Sequence, residues 1–187
     1  MPGSLIEIKI QSLGPALGAR VTGIDVTRAI TDGAFELLRR AFDEHSVLVL
    51  PTQPLDDEAQ MVISERFGPV EQAVKANLTG GTPFARQSNI DPERGELISL
   101  DDRRMLHQKQ NFIWHLDSSY RLIPSLCSLL SAREVPPVGG DTEFASTRAA
   151  FESLSDVRKN ELRGLFVIHD IVARRRTMGF EFTAEQI

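Results

Sequence analysis

Cysteine and long apolar runs are both scarce in this 187-residue sequence, whose single cysteine is Cys127. One cysteine excludes an intramolecular disulfide framework and fits a reducing cytoplasm. No apolar run approaches the roughly 18 residues of a membrane span. The amino terminus, Met1–Ser4, lacks the basic start and apolar stretch of a secretory signal. We therefore expect a cytoplasmic protein that needs no membrane partner.

A strong excess of charge is absent as well. The 26 acidic and 21 basic side chains leave a net charge of −5, which argues mildly against a nucleic-acid partner. With 41% hydrophobic and 25% charged residues, the chain is too apolar and too balanced in charge to be disordered. Its length predicts one domain, in which roughly 70% of the unfolded surface is buried.

Apolar periodicity divides the chain into strand-like and helix-like segments. Period-two alternation or a short apolar run between turn residues predicts strands at 5–10, 21–26, 46–50, 112–117, 125–130, 142–144 and 165–169. Apolar residues at helical spacing behind a capping residue predict helices after Thr31, Asp56 or Asp57, Ser146 or Thr147, and from Asp156. Strands outnumber helices, so a mixed or antiparallel sheet with flanking helices is expected, although alternation alone leaves a parallel sheet open.

Residues 75–110 differ from the rest of the chain, because they are rich in glycine, proline and scattered charges and have little periodicity. Such a stretch inside a compact domain is more often a functional loop or lid than a linker. Lys75, near its start, is a candidate contact for a substrate anion, with a solvated lysine as the alternative.

The tripeptide His115–Asp117 is the first candidate for chemistry. Residues i and i+2 of a strand project to the same face, so this imidazole and this carboxylate can reach one cation. Two such ligands and a distant histidine form the facial triad of non-haem Fe(II) oxygenases, which leaves three coordination positions open. The tripeptide alone is weak evidence, because a surface histidine near an aspartate is common.

Its surroundings are more specific. Trp114–Tyr120 reads Trp-His-Leu-Asp-Ser-Ser-Tyr, and Val135–Phe144 reads Val-Pro-Pro-Val-Gly-Gly-Asp-Thr-Glu-Phe. This pair of segments resembles the TauD/TfdA family of Fe(II)- and 2-oxoglutarate-dependent dioxygenases, and the resemblance is closer to the aryloxyalkanoate branch than to the taurine branch. Further matches lie in family order at Ser46–Pro51, Arg66–Val70, Ser88–Asn89, Arg148–Phe151 and Leu162–Leu165.

The resemblance implies roles for individual residues. His115 and Asp117 correspond to the first two iron ligands. Thr142 corresponds to the threonine whose hydroxyl binds a carboxylate of 2-oxoglutarate, with a residue leaving a hairpin turn as the alternative. Asn111 occupies the polar position, four residues before the histidine, that contacts substrate or cosubstrate.

The resemblance also implies a fold and a reaction. The fold is mixed α/β and mainly β, a double-stranded β-helix (jelly roll) with flanking helices. The reaction consumes O₂ and 2-oxoglutarate, hydroxylates a small anionic substrate of the aryloxyalkanoate or sulfonate kind, and releases succinate and CO₂. Homo-oligomerisation is left open.

Two functional groups of the family are not matched in this sequence. The distal histidine ligand and the arginine that pairs with 2-oxoglutarate are expected more than a hundred residues beyond Thr142. We therefore interpret residues 1–187 as the N-terminal two-thirds of a TauD/TfdA-like domain whose C-terminal part is missing, and we expect the fragment to be inactive. His169 is a weaker candidate for the third ligand, because it falls at a position where this family has a histidine that is distinct from the distal iron ligand.

Three interpretations of the chain are open. The chain is either an oxygenase-family enzyme that needs the absent segment or a non-catalytic remnant that binds metal weakly or not at all. A metal hydrolase built on His115 and Asp117 is disfavoured by the Gly-Gly-Asp-Thr segment. A downstream reading frame that encodes a histidine and then an arginine would separate the first two.

Overall fold

A computed structural model of the chain describes residues 7–71, 83–91, 93–99, 101–102 and 105–179. The chain divides into two compact units. The first contains Met1–Pro69 and Leu129–Leu165, and the second contains Val70–Ser128 and Phe166–Ile187. The assignment of 1–187 to one family domain stays a prediction. Within the described ranges, no helix has the length and apolar character needed to cross a membrane.

A small mixed sheet lies in the first unit. Strands β1 (Lys9–Ser12) and β2 (Ala19–Thr22) pair antiparallel, and β2 pairs in parallel with β3 (Leu48–Val49). Side chains of β2 alternate between buried and exposed, as expected for a strand with one face on a core. All three strands begin or end within a few residues of the predicted segments, so the expected mixed sheet is confirmed on a smaller scale.

The segment after β2 does not continue as a strand. Gly23 has a φ of +76°, which turns the chain out of the extended conformation. The side chain of Gln53 then binds the backbone that a neighbouring strand would have paired. Its Nε2 donates to the carbonyl of Ile24, and its Oε1 accepts from the amide of Val26, both at 2.9 Å.

Two capped helices complete the core of the first unit. Helix α1 (Asp32–His45) follows Thr31, and helix α2 (Asp57–Phe67) follows Asp56; both capping side chains accept an amide hydrogen bond, as predicted. The Phe35 and Phe67 rings meet edge to face with centroids 5.0 Å apart. The buried apolar cluster consists of Val21, Val26, Phe35, Leu38 and Ile63.

The first unit also contains two short helices, α4 (Thr147–Glu152) and α5 (Asp156–Leu162). Both confirm predictions, and Gly164 follows α5 with a φ of +87°. Arg148 at the start of α4 donates to the carbonyl of Glu44 at 3.1 Å and to Ser46 Oγ at 2.9 Å.

The described part of the second unit has little regular structure. It contains the short helix α3 (Leu106–Lys109), a 3₁₀ turn at Gln110–Phe112 and helix α6 (Ile171–Arg176). Ile90 and Leu97 form an isolated antiparallel bridge inside the predicted long loop. A mixed α/β structure is thus confirmed, but helix outweighs strand in the described residues.

Four predicted strands are not formed in the described residues: 112–117, 125–130, 142–144 and 165–169. The apolar character of these segments is real, but a strand also needs a neighbouring backbone to pair with. Leu116 and Trp114 are 61% and 65% exposed, and Phe166–Ile168 is exposed throughout. So many exposed apolar side chains are unusual on the surface of a folded monomeric protein.

Candidate metal centre

His115 and Asp117 lie together at the surface of the second unit, as their spacing predicts. The Nε2 atom of His115 is 3.3 Å from Oδ1 of Asp117, and both side chains are about half exposed, at 46% and 59%. Ligand atoms held about 2.1 Å from one metal ion at right angles to each other are about 3 Å apart. The pair therefore has the spacing of two neighbouring ligands, although the backbone that carries it is not a paired strand.

The other polar atom of each side chain is already engaged. Nδ1 of His115 lies 2.7 Å from the carbonyl oxygen of Ile113, which can only accept, so this nitrogen carries the proton and donates it. Oδ2 of Asp117 accepts from the hydroxyl of Ser128 at 2.6 Å. With Nδ1 and Oδ2 engaged in these contacts, Nε2 and Oδ1 are the two atoms that face each other.

This arrangement suits a cation on chemical grounds. In the neutral imidazole with a protonated Nδ1, Nε2 presents a lone pair, and Oδ1 of Asp117 also presents lone pairs. Two acceptors that face each other need a proton or a cation between them. The histidine and carboxylate donors, with the histidine oriented through its second nitrogen, fit a non-haem Fe(II) site.

A complete ligand set is not present in the described residues. Within them, no group of three His, Cys, Asp or Glu side chains is close enough to share a metal ion. Nδ1 of His169 lies 2.9 Å from Ser119 Oγ rather than in such a group. His115 and Asp117 are therefore a pair, and the described part of the chain does not complete a triad with His169.

A second cluster follows immediately after Asp117. Oε2 of Glu71 accepts from Ser118 Oγ at 2.5 Å and from Ser125 Oγ at 2.6 Å. Oε1 of Glu71 lies 2.6 Å from Nε of Arg121. Partial burial raises the pKa of Glu71, but the two serine hydrogen bonds and the Arg121 guanidinium together outweigh it, so this pKa lies below its ordinary value.

The lowered pKa of Glu71 predicts a pH dependence of stability. The contribution of Glu71 to folding is present above about pH 4.3, its ordinary pKa, and is lost as the pH falls through the folded-state value. We expect the stability advantage of the unmodified chain over Glu71→Gln to be constant near neutral pH and to shrink below about pH 4. Urea unfolding at a series of pH values, followed by Trp114 fluorescence, measures this difference. A difference that stays the same down to pH 3 would contradict it.

The remaining predicted residues fall in different places. Asn111 is an exposed residue of the second unit, and its Nδ2 donates to Oε1 of Gln87. Thr142 is an exposed residue of the first unit. Lys75 lies outside the described residues. The role predicted for each of them stays a prediction.

The sequence reasoning missed Glu71, Ser125 and Ser128. The Ser118–Ser119 pair after Asp117 hints at local hydrogen bonding, because serine hydroxyls readily bond to nearby groups. Nothing in the sequence links Glu71 to it, since Glu71 and Ser118 are 47 residues apart.

A family model described as "Taurine catabolism dioxygenase TauD, TfdA family" matches residues 9–186. The chain is 35% identical over 179 residues to the α-ketoglutarate-dependent 2,4-dichlorophenoxyacetate dioxygenase of Cupriavidus pinatubonensis, a match that covers 93% of this chain and 62% of that enzyme. It is 30% identical over 175 residues to the (S)-phenoxypropionate/α-ketoglutarate dioxygenase of Delftia acidovorans, covering 92% of this chain and 58% of that enzyme.

Comparison with solved structures gives the same family relationship. The structure of AAD-2 in complex with Mn(II) and N-oxalylglycine superimposes with a TM-score of 0.83 at 36% identity, covering 96% of this chain and 62% of that one. The chain thus spans about 60% of the length of these relatives. Membership of the family implies Fe(II) and 2-oxoglutarate. Because the family match extends over nearly the whole chain, this protein belongs to the TauD, TfdA family of dioxygenases.

Proposed function

We propose that this chain carries the first part of the active site of an Fe(II)- and 2-oxoglutarate-dependent dioxygenase that hydroxylates a small anionic substrate. The carrying observation is the approach of His115 Nε2 to Asp117 Oδ1, with the remaining polar atom of each side chain held by another group. Relatives that act on aryloxyalkanoates favour that substrate class, and sulfonates, the substrates of another relative, are the alternative.

In the proposed reaction the protein binds and orients. His115 and Asp117 hold the metal ion, and Thr142 binds a carboxylate of 2-oxoglutarate through its hydroxyl. Asn111 and Lys75 contact the anionic substrate or cosubstrate. When bound, iron and 2-oxoglutarate supply the oxidising chemistry, and succinate and CO₂ are the coproducts.

The third metal ligand and the arginine for 2-oxoglutarate are supplied, in this proposal, by polypeptide outside these 187 residues. Two observations support it: the described residues lack a third ligand beside the pair, and the relatives are longer than this chain. The same polypeptide contributes the strands that complete a jelly roll. Segments 112–117 and 165–169, whose apolar patterns predict strands, would then pair with these added strands.

A non-catalytic remnant of the family is the second candidate. The observation that favours it is the exposure of apolar side chains such as Phe166 and Leu122, which are 95% and 100% exposed. Such a remnant binds a metal ion weakly through two ligands and forms no catalytic iron site.

Succinate release tests the proposal. We expect none above background from the 187-residue chain supplied with Fe(II), ascorbate, 2-oxoglutarate and an aryloxyacetate. A chimera that continues after Ile187 with the C-terminal part of the Cupriavidus enzyme should release succinate in step with substrate loss. The His115→Ala form of that chimera is the control and should be inactive.

The possible results separate the alternatives. Robust turnover by the 187-residue chain alone would contradict the need for a ligand from outside the chain. It would make His169 the leading candidate for the third iron ligand. A folded chimera that binds Mn(II) but turns over neither aryloxyacetates nor sulfonates would favour the non-catalytic remnant.

A further inference from the structure

Hydrogen bonds link Glu71 to Asp117, one of the two proposed metal ligands, through both ends of segment 118–128. Ser118, the residue after Asp117, donates to Oε2 of Glu71. Ser125 donates to the same oxygen, and three residues later Ser128 donates to Oδ2 of Asp117. Glu71 therefore holds the start of segment 118–128, and it also holds the part of the segment that returns to the aspartate.

The conformation of Ser118 needs such support. Its φ is +54°, in the left-handed region that favours glycine, and it directly follows Asp117. A non-glycine residue keeps this conformation only when its surroundings hold it there. The hydrogen bond to Glu71 is a contact that does so.

We propose that Glu71 is a positioning residue of the metal centre. Its carboxylate holds segment 118–128 so that Ser128 occupies Oδ2 of Asp117 and Oδ1 alone faces His115. The inference rests on the proposed function, because it requires that His115 and Asp117 bind the metal ion. It adds a residue that touches neither metal nor substrate and that lies 46 positions before Asp117 in the chain.

Removal of the carboxylate should therefore weaken metal binding. Without Glu71, Ser118 relaxes, segment 118–128 loosens, and Asp117 loses the partner that fixes its orientation. Loss of an outer-shell partner typically costs about 10–100-fold in metal affinity. Arg121 contributes less, because its ion pair with Glu71 is partly exposed to solvent, with 41% of the arginine and 28% of the glutamate side chain accessible.

The conservative variant separates positioning from charge. In the structure a single oxygen, Oε2, accepts both serine hydrogen bonds. The amide oxygen of Glu71→Gln can accept both in the same way, whereas Glu71→Ala accepts neither. We expect Glu71→Ala to weaken Mn(II) binding about tenfold or more and Glu71→Gln to change it less than about threefold.

The experiment uses the 187-residue chain with Mn(II) and N-oxalylglycine, and measures affinity by electron paramagnetic resonance. Amide hydrogen exchange of residues 118–128 without metal is the second readout. Glu96→Ala is the matched control, because Glu96 is an exposed carboxylate of the same unit. If Glu71→Ala does not fold, Ser125→Ala replaces it, since it removes one of the two serine donors and should weaken binding several-fold.

Faster exchange in 118–128 together with weaker Mn(II) binding, for Glu71→Ala and not for Glu96→Ala, supports the inference. Mn(II) affinity unchanged in Glu71→Ala, or lowered equally in Glu96→Ala, overturns it and leaves the proposed function intact. If the 187-residue chain binds no Mn(II), the same variants are compared in the chimera that continues after Ile187. If that chimera binds no Mn(II) either, the metal-binding role of His115 and Asp117 fails and the inference fails with it.

Discussion

His115→Ala is expected to abolish specific metal binding by this chain. Nε2 of His115 is one of the two atoms proposed to coordinate the metal ion, and its removal leaves Oδ1 of Asp117 as the only remaining member of the pair. The loss should exceed the roughly 10–100-fold that removal of an outer-shell partner costs. Calorimetric titration with Mn(II) in the presence of N-oxalylglycine measures it.

His169→Ala is the matched control for this experiment. Nδ1 of His169 contacts Ser119 Oγ, and the described residues place it in no three-ligand group with the pair. We expect Mn(II) affinity within about threefold of the unmodified chain, since the lost contact is one exposed hydrogen bond. If His169→Ala loses binding as fully as His115→Ala, His169 is the third ligand. Retention of affinity by His115→Ala would remove the metal assignment.

Leu38→Ala should cost the first unit about 2–5 kcal/mol of unfolding free energy, the usual range for a buried leucine. Leu38 is 2% exposed and packs in the cluster with Val21 and Phe35. Its truncation removes apolar contacts and leaves a cavity between α1 and β2. Urea unfolding followed by far-ultraviolet circular dichroism measures the loss.

Leu37→Ala is the control, one residue away on the same helix. Its side chain is 39% exposed, and alanine is a slightly better helix former than leucine. We expect a change within about 0.5 kcal/mol, as for other surface substitutions. Equal losses at the two positions would contradict the assignment of the buried face of α1.

The helix boundaries were predictable because their causes are local. Thr31, Asp56 and Ser146 each accept an amide hydrogen bond from a residue three positions ahead. Such a cap is visible in a few consecutive letters of sequence. The two proposed iron ligands were predictable for the same reason, because His115 and Asp117 are only two residues apart.

Strand formation could not be predicted in the same way. The patterns at 112–117 and 165–169 correctly indicate apolar segments, but pairing depends on a backbone elsewhere in the chain. Gln53 shows how a distant side chain changes the outcome, since it binds the Ile24 and Val26 backbone groups that a longer strand would have used.

By itself, the sequence determined the family, the two proposed iron ligands and the capped helices, since each depends on residues close together in the chain. Only the tertiary structure decided which atom of each proposed ligand faces the other ligand and which groups hold the remaining polar atom. Ser128 reaches Asp117 across 11 positions, and Glu71 reaches Ser118 across 47. The physical reason is that a hydrogen bond needs its two atoms within about 3 Å, and no sequence pattern specifies that distance for residues so far apart.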